Sequence, residues 1–143
     1  MRIRPLTAED VPAAAALLHQ LGYAIESAEL AERMAHVGTA SGHHAVVAEL
    51  DGRIVGLLHV FERPALEKPC EAVVQALIVD DAHRSAGIGR ALMREAEVWA
   101  RARHLAALVL HTRVDRERAR AFYAGLGYET AATSHLMRKA LQP

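Results

Sequence analysis

The sequence predicts a mixed α/β fold in one domain that spans residues 1–143. Three observations lead to this prediction. The chain is 52% hydrophobic, which allows one proper core, and its length leaves little room for a second domain. The apolar residues follow helical spacing near the N-terminus and then alternate as in strands over residues 44–62. Beyond residue 70, strand-like and helical segments follow one another.

The N-terminal half reads as a strand, two helices and a hairpin. Residues 2–5 suit a short first strand. An amphipathic helix follows, and Thr7 with Asp10 three residues later resembles a capping box at its start. Residues 26–38 predict a second helix. An aspartate–glycine turn then predicts a hairpin of two strands over residues 44–62.

Residues 70–79 read as a long strand, and a loop and a helix of about four turns follow it. The apolar face of that helix contains Ile88, Leu92, Ala96 and Trp99. The segment "LAALVLHT" then predicts another strand.

A last helix is predicted near the C-terminus, with Asp115 as its N-cap and Gly127 as a left-handed stop. Residues 128–132 and 135–140 predict a closing pair of strands. Pairing or exchange of these strands between two copies makes a homodimer plausible.

Charge and composition exclude several classes of protein. Lysine plus arginine number 17, as do aspartate plus glutamate, and the zero net charge argues against a nucleic-acid binder. No apolar run is long enough to span a membrane. Glu9 and Asp10 interrupt the alanine-rich N-terminus, so we read a helix there and not an export signal. Cys70 is the single cysteine, which favours a reducing, cytoplasmic setting.

The stretch "HRSAGIGRALM" places two glycines where a helix begins, directly after a strand and a loop. Unpaired amides at a helix N-terminus bind phosphate or pyrophosphate, and glycine lets the anion approach the backbone. Arg84 or Arg90 would add a charged contact. The alternative is that Gly87 and Gly89 only shape a tight loop. The sequence has neither a nucleotide-hydrolysing P-loop nor the third glycine of the dinucleotide fingerprint.

Two motifs together resemble the GNAT superfamily, the acyl-CoA-dependent N-acetyltransferases. "LIVDDAHRSAGIGRALMREAEVWAR" is similar to its acyl-CoA-binding motif, in which Arg or Gln precedes x-x-G-x-G/A. About thirty residues later, "RERARAFYAGLGYE" is similar to the A-x-x-F-Y-x-x-x-G-[FY] segment of the family. Its matching residues are Ala119, Phe122, Tyr123, Gly127 and Tyr128. The likeness covers roughly residues 70–140.

The resemblance implies a single-domain GNAT fold, with a mixed, mostly antiparallel sheet of about six to seven strands and about four helices. It implies acetyl-CoA as co-substrate, with the pyrophosphate on the amides of Arg84, Ser85, Ala86, Gly87, Ile88, Gly89 and Arg90. The pantetheine arm would run along the strand end at Leu77, Ile78 and Val79. An amide near Ile78 or Val79 would polarise the acetyl carbonyl.

The resemblance also implies a role for Tyr123, at the cofactor, as the acid that protonates the leaving thiolate. The alternative is that Tyr123 is an amphipathic core aromatic. A tyrosine hydroxyl, with a pKa of about 10, stays protonated at neutral pH and can donate.

The base is harder to assign. Many relatives use a glutamate on the strand that leads into the glycine turn, and this chain has Gln75 where we expect it. If alternate residues share one face, then Glu71, Val73, Gln75, Leu77 and Val79 line up together. Glu71 is therefore our candidate base, with a solvated residue after a loop as the alternative.

Four histidines are further candidates for the base, since imidazole titrates near neutrality. They are His43, His44, His59 and His111. Each is more often a structural or surface residue. Adjacent histidines on a strand point to opposite faces, and no Cys/His cluster is present, so no metal is expected.

We expect transfer of acetyl from acetyl-CoA to a primary amine of a small molecule or a protein. Arg116 stands where the family often has asparagine, which puts a cofactor contact there in doubt. Cys70 reads as structural. A non-catalytic acyl-CoA-binding regulatory module is the alternative that Gln75 motivates. An interaction domain without ligand is the other.

Overall fold

The computed structural model describes residues 1–142. It contains nine helices and strands in that range, together with two short 3₁₀ turns at Ala8–Asp10 and Asp81–His83. In chain order these elements are β1 (Arg2–Pro5), α1 (Val11–Gln20), α2 (Ser27–Thr39), β2 (His43–Leu50), β3 (Arg53–Arg63), β4 (Glu71–Val79), α3 (Ile88–Ala102), β5 (Leu108–Leu110) and α4 (Glu117–Gly125).

The chain divides into two compact units, Met1–Leu110 and the part from His111 onward. The first unit contains one sheet with the strand order β1-β2-β3-β4-β5. Neighbouring strands are antiparallel except β4 and β5, which are parallel. The mixed, mostly antiparallel sheet and the four α-helices confirm the predicted fold class.

The sheet has five strands in the described residues, fewer than the six to seven expected. Residues 128–132 and 135–140 contain no strand, so the predicted closing pair is wrong. Leu136 and Met137 in this segment are exposed. An alternating sequence forms a strand only where a neighbouring strand supplies hydrogen bonds, and periodicity cannot show that neighbour. The expected homodimer was to form through these closing strands, so this basis for it is absent from the described residues.

The sheet of the first unit has helices on both faces. Leu57 and Ile78 lie opposite each other on β3 and β4 and pack with buried residues of α1 and α2. On the other face α3 lies close to β3 at Gly56. A Cβ there would come within 2.9 Å of a methyl carbon of Leu92, so only glycine lets α3 approach this closely. We call these the α1 face and the α3 face.

No helix in residues 1–142 is long and apolar enough to cross a membrane. The helix α3 confirms the predicted amphipathic pattern, with Ile88, Leu92 and Ala96 buried and Arg94 exposed.

The first strand and the first helix are joined by a buried carboxylate. Asp10 is 5% exposed and accepts hydrogen bonds from both terminal nitrogens of Arg4 at 2.8 Å. It also accepts the backbone N–H of Thr7 at 2.8 Å, as the predicted capping box requires. The Arg4 guanidinium holds the pKa of this carboxyl at about 2, against an ordinary value of 3.8. The charged form of Asp10 therefore stabilises the fold.

We predict that Asp10→Asn lowers the free energy of unfolding at pH 7 by about 2 kcal/mol, because the folded state depresses the pKa of Asp10. This contribution is present above the unfolded pKa and is lost as the pH falls from 3.8 towards 2. Urea unfolding at a series of pH values measures it. Asp51→Asn, in the exposed β2–β3 turn, is the control. A difference between wild type and Asp10→Asn that stays constant down to pH 3 would contradict the prediction.

Candidate active site

Strand β4 contains a bulge at Gln75. His59 on β3 pairs with Ala76 and the next residue, Val60, pairs with Val74, so Gln75 has no partner on β3. A bulge adds one residue to one strand and reverses the faces of the residues that follow it. Gln75 itself is exposed.

The sequence analysis placed alternate residues of β4 on one face. Because of the bulge, that prediction is wrong. Glu71 and Val73 pair with Arg63 and Phe61, which alternate with Leu57 on the α1 face. Beyond the bulge, Leu77 and Val79 pair with Leu58 and Gly56, on the α3 face. The assumption of unbroken alternation was wrong because one extra residue shifts the pattern by one.

Strands β4 and β5 separate at the same place. Their pairing covers only Ala72–Val74 against Leu108–Leu110. From Gln75 to Val79 the β5 side of β4 has no strand beside it in the described chain. At about 3.3 Å per residue this open edge is about 16 Å long. Unpaired N–H and C=O groups on such an edge can bind an extended molecule as an added strand.

The open edge leads into the glycine turn before α3. Gly87 is the N-cap of α3 and has φ +81°, and Ser85 also has a positive φ of 69°. Within the described residues, no hydrogen bond of regular geometry outside the helices and strands is donated by the amides of residues 84–90, although residues 84 and 85 form a turn. These amides and the positive end of the α3 dipole suit an anion.

The conformation of the backbone explains why glycine is present at residue 87. A Cβ on Gly87 would meet no protein atom within 4 Å, so packing does not demand glycine there. The positive φ does, because a side chain is strained in the left-handed region. Glycine is therefore the residue that adopts this turn conformation without strain.

A polar network ties the start of the turn to the end of α1. Gln20 donates to Asp80 Oδ1 at 2.9 Å and accepts the Asp81 N–H at 3.0 Å. His83 Nδ1 lies 2.8 Å from Asp80 Oδ2. The hydrogen bond from Gln20, followed by that from His83, lowers the pKa of Asp80 below its ordinary value. Asp80 therefore remains charged and fixes the turn.

The two arginines of the turn differ in their contacts. Arg84 forms an ion pair with Asp81 at 2.7 Å, and both side chains are exposed. Such exposed pairs contribute little and exchange easily. Arg90 is exposed on the first turn of α3. Both remain available to an anion at the amides.

Glu71 begins β4, four residues before the bulge. Its Oε1 is shielded from solvent and lies 3.2 Å from Lys68 Nζ and 3.8 Å from an Arg63 nitrogen. The contact geometry is that of an ion pair and not of a hydrogen bond. Two cations thus face the carboxylate that the sequence nominated as a base.

Two of the candidate histidines lie together on the α1 face. His43 Nδ1 and His59 Nε2 are 2.9 Å apart, and the His43 ring is stacked on Phe61. His44 lies on the opposite face, where its ring stacks on Trp99 and its Nε2 lies 3.1 Å from Glu95. The sequence analysis considered these histidines singly and missed the pair.

The second unit contains Tyr123 on α4. Its ring makes edge-on contacts with Phe122 and Tyr128, and burial raises the pKa of its hydroxyl above the ordinary value of 10. Tyr123 therefore stays protonated at neutral pH. Gly127 has the predicted left-handed φ, 97°.

Asp115 is not the N-cap that the sequence predicted. Arg116 occupies that position and has no capping side-chain hydrogen bond, while Asp115 pairs with Arg113 at 3.3 Å. Because α4 begins at Glu117, Asp115 lies one residue before the N-cap position. His111 is exposed.

A cleft of about 570 Å³ lies between α1 and the β2–β3 turn of the first unit, and its lining reaches Gln20 and Asp80. Its charged lining includes Arg4, which forms ion pairs with Asp10 and with Glu49. We therefore place the candidate site at the open β4 edge and the glycine turn, where the backbone groups are unpaired.

A family model described as the acetyltransferase (GNAT) family matches residues 7–128. The chain belongs to this family, which confirms the resemblance drawn from its two motifs.

Solved structures agree with this fold. A putative acetyltransferase from Agrobacterium tumefaciens str. C58 is 22% identical, with a TM-score of 0.88 over 97% of this chain and 100% of the other. The aminoglycoside antibiotic 6'-N-acetyltransferase AAC(6')-IG from Acinetobacter haemolyticus is 20% identical, with a TM-score of 0.85 over 99% and 100%. The aminoglycoside N-acetyltransferase AAC(6')-Iy in complex with CoA is 15% identical, with a TM-score of 0.86 over 96% and 93%. At these identities the likeness shows the fold alone.

Proposed function

We propose that this protein transfers an acetyl group from acetyl-CoA to a primary amine of a small molecule or a protein. One observation carries the proposal. The open edge of β4, from Gln75 to Val79, leads directly into a turn of unpaired amides at Arg84–Arg90. An extended chain that ends in a pyrophosphate matches both features. Membership in the acetyltransferase family supports the same reading.

In this proposal the amides of Arg84–Arg90 bind the pyrophosphate, and Arg84 and Arg90 add charge. The residues fit such a group, because these amides donate no hydrogen bond of regular geometry outside the helices and strands of the described chain and the space beside Gly87 is free of protein atoms. The pantetheine arm lies along Leu77, Ile78 and Val79. An amide near Ile78 or Val79 polarises the acetyl carbonyl.

The chemistry requires a neutral amine and a proton for the leaving thiolate. We assign the proton to Tyr123, following the family motif. Its raised pKa supports an acid that stays protonated until charge develops on sulfur. Glu71 remains the base that the sequence proposes, although Lys68 and Arg63 already neutralise its carboxylate.

A non-catalytic acyl-CoA-binding module is the second candidate function. It is favoured by the exposed Gln75 at the bulge, where many relatives place a carboxylate. Such a module would bind acetyl-CoA and release no thiol with any amine. A cytoplasmic location remains our expectation from the single Cys70.

Melting temperatures with acetyl-CoA, NADH and ATP test the co-substrate. A ligand at a hundred times its dissociation constant adds about 2.7 kcal/mol, which raises the melting temperature by several degrees. We expect the rise with acetyl-CoA alone. Thiol release with a panel of alkylamines then separates the enzyme from the binding module. No rise at millimolar acetyl-CoA would contradict the proposal.

We expect Gly87→Val to abolish acetyl-CoA binding and leave the fold largely intact, because the side chain enters the space that the pyrophosphate needs. The matched control is Gly52→Val, since Gly52 also has a positive φ (+75°) and no atom within 4 Å of a Cβ. Both variants should lose about 2 kcal/mol of stability from backbone strain. Isothermal titration of each measures the affinity. Normal binding by Gly87→Val would remove the pyrophosphate assignment.

We expect Tyr123→Phe to lower kcat by about 10² or more, the usual contribution of general acid catalysis, with little change in the affinity for acetyl-CoA. Tyr128→Phe removes a hydroxyl from a neighbouring ring and should lose much less. Steady-state thiol release and titration calorimetry give the two quantities. An unchanged kcat in Tyr123→Phe would exclude this residue as the acid.

A further inference from the structure

We propose that His59, held by His43, is the base that takes the proton from the acceptor amine. This inference rests on the proposed function and assigns the base to His59 instead of Glu71, the candidate that the sequence nominated. It is carried by the position of His59 beside the bulge and by its contact with His43.

His59 lies next to the point where β4 and β5 separate. It pairs directly with Ala76, the residue after the bulged Gln75. Directly opposed residues on antiparallel strands have Cα atoms about 4.5–5.5 Å apart and share a face. The His59 side chain is thus one strand away from the open edge of β4. An amine that approaches the acyl group from the α1 face meets this imidazole.

Contacts fix the orientation of the His59 ring. Its Nε2 lies 2.9 Å from His43 Nδ1, and the His43 ring is stacked on Phe61 at a centroid distance of 5.2 Å. If His59 Nε2–H donates to His43 Nδ1, the lone pair of His59 is on Nδ1. The one hydrogen bond recorded for the His59 ring in the described residues is at Nε2, not at Nδ1. In this tautomer Nδ1 is the proton acceptor.

The surroundings keep His59 neutral at physiological pH. Burial lowers its pKa below 6.5, and the nearby His43 lowers it further. The other charged groups on this face of β3 and β4 are Arg63 and Glu71, and Lys68 pairs with Glu71. Helices α1 and α2 cover the face with apolar residues, and their own titratable side chains are exposed: His19, Glu29, Glu32, Arg33 and His36.

The protons and bonds balance as follows. His59 Nδ1 takes one proton from the alkylammonium ion and later releases it to solvent. The nitrogen lone pair forms the C–N bond, and the C–S bond breaks with its electron pair on sulfur. Tyr123 gives its hydroxyl proton to the thiolate. A second proton from the amine nitrogen then restores the hydroxyl of Tyr123. The products are the N-acetyl amine, the free thiol of coenzyme A and one proton.

The other candidates fit this role less well. Glu71 Oε1 already faces Lys68 and Arg63. His44 lies on the α3 face, where Trp99 stacks on its ring and Glu95 lies 3.1 Å from its Nε2. Of the three histidines on β2 and β3, His59 combines a position beside the bulge with a ring nitrogen that has no recorded hydrogen bond.

The pH dependence of kcat/KM for an alkylamine tests the proposal, since the amine itself titrates only near its own pKa of about 10. The kcat/KM of wild type should fall as the pH drops below 6.5, and we call this fall the acid limb. His59→Gln should lose this limb and reduce kcat/KM by about 10² to 10⁴. His43→Gln should keep most activity at pH 8 and move the limb to higher pH, because the neighbouring ring that lowers the pKa of His59 is gone. His44→Gln is the matched control and should leave the limb in place.

An acid limb that persists in His59→Gln, or that moves with Glu71→Gln instead, would overturn the proposal. Acetyl-CoA should raise the melting temperature of every variant, which shows that the fold and cofactor site survive. Wild type that binds acetyl-CoA but releases no thiol would overturn the proposed catalysis together with the base. NMR titration of the His59 ring checks the pair without turnover, and an unchanged pKa in His43→Gln would also count against it.

Discussion

The pairing of β4 with β5 over three residues is the constraint on which the site depends. If the two strands paired along the whole of β4, its backbone groups would be satisfied within the sheet and no ligand could bind there. The bulge at Gln75 stands at the point of separation. A bulge bends and twists its strand locally. Here it coincides with the start of the open edge, while β4 stays paired with β3 on both sides of it.

The two faces of the sheet carry different parts of the candidate site. On the α3 face, Gly56 lets α3 lie close to the sheet, and Ile88 anchors the first turn of that helix in the core. The glycine turn is thereby placed at the end of β4, with Gln20 and Asp80 holding its start. On the α1 face, the helical cover gives way at His59 and Phe61, which are only partly buried. An acyl group on the open edge would have the glycine turn before α3 on one side. On the other side, the α1 face, it would have the titratable groups His43 and His59.

Part of this structure could be predicted from the sequence because it depends on local residue preferences. The Asp51–Gly52 turn, the left-handed Gly127 and the amphipathic α3 depend on the residues that form them, and all three predictions are confirmed. The two motifs likewise identified the family.

The features that could not be predicted from the sequence depend on pairing between strands. A regular hairpin closed by the Asp51–Gly52 turn would place His44 opposite His59. A second irregularity, between Ala48 and Glu49, shifts the register so that Ala45 faces His59 and His43 shares its face. The bulge at Gln75 and the missing closing strands have the same origin. Each is decided by a neighbouring strand, and a single strand's periodicity does not record it.

Amide chemical shifts of ¹⁵N-labelled protein titrated with acetyl-CoA test the central claim most directly, because they locate the ligand on the backbone. The open edge of β4 and the glycine turn predict the largest changes at Gln75–Val79 and Arg84–Arg90. Changes confined to the cleft between α1 and the β2–β3 turn, at Ala13, Leu17 and Ile54, would contradict it.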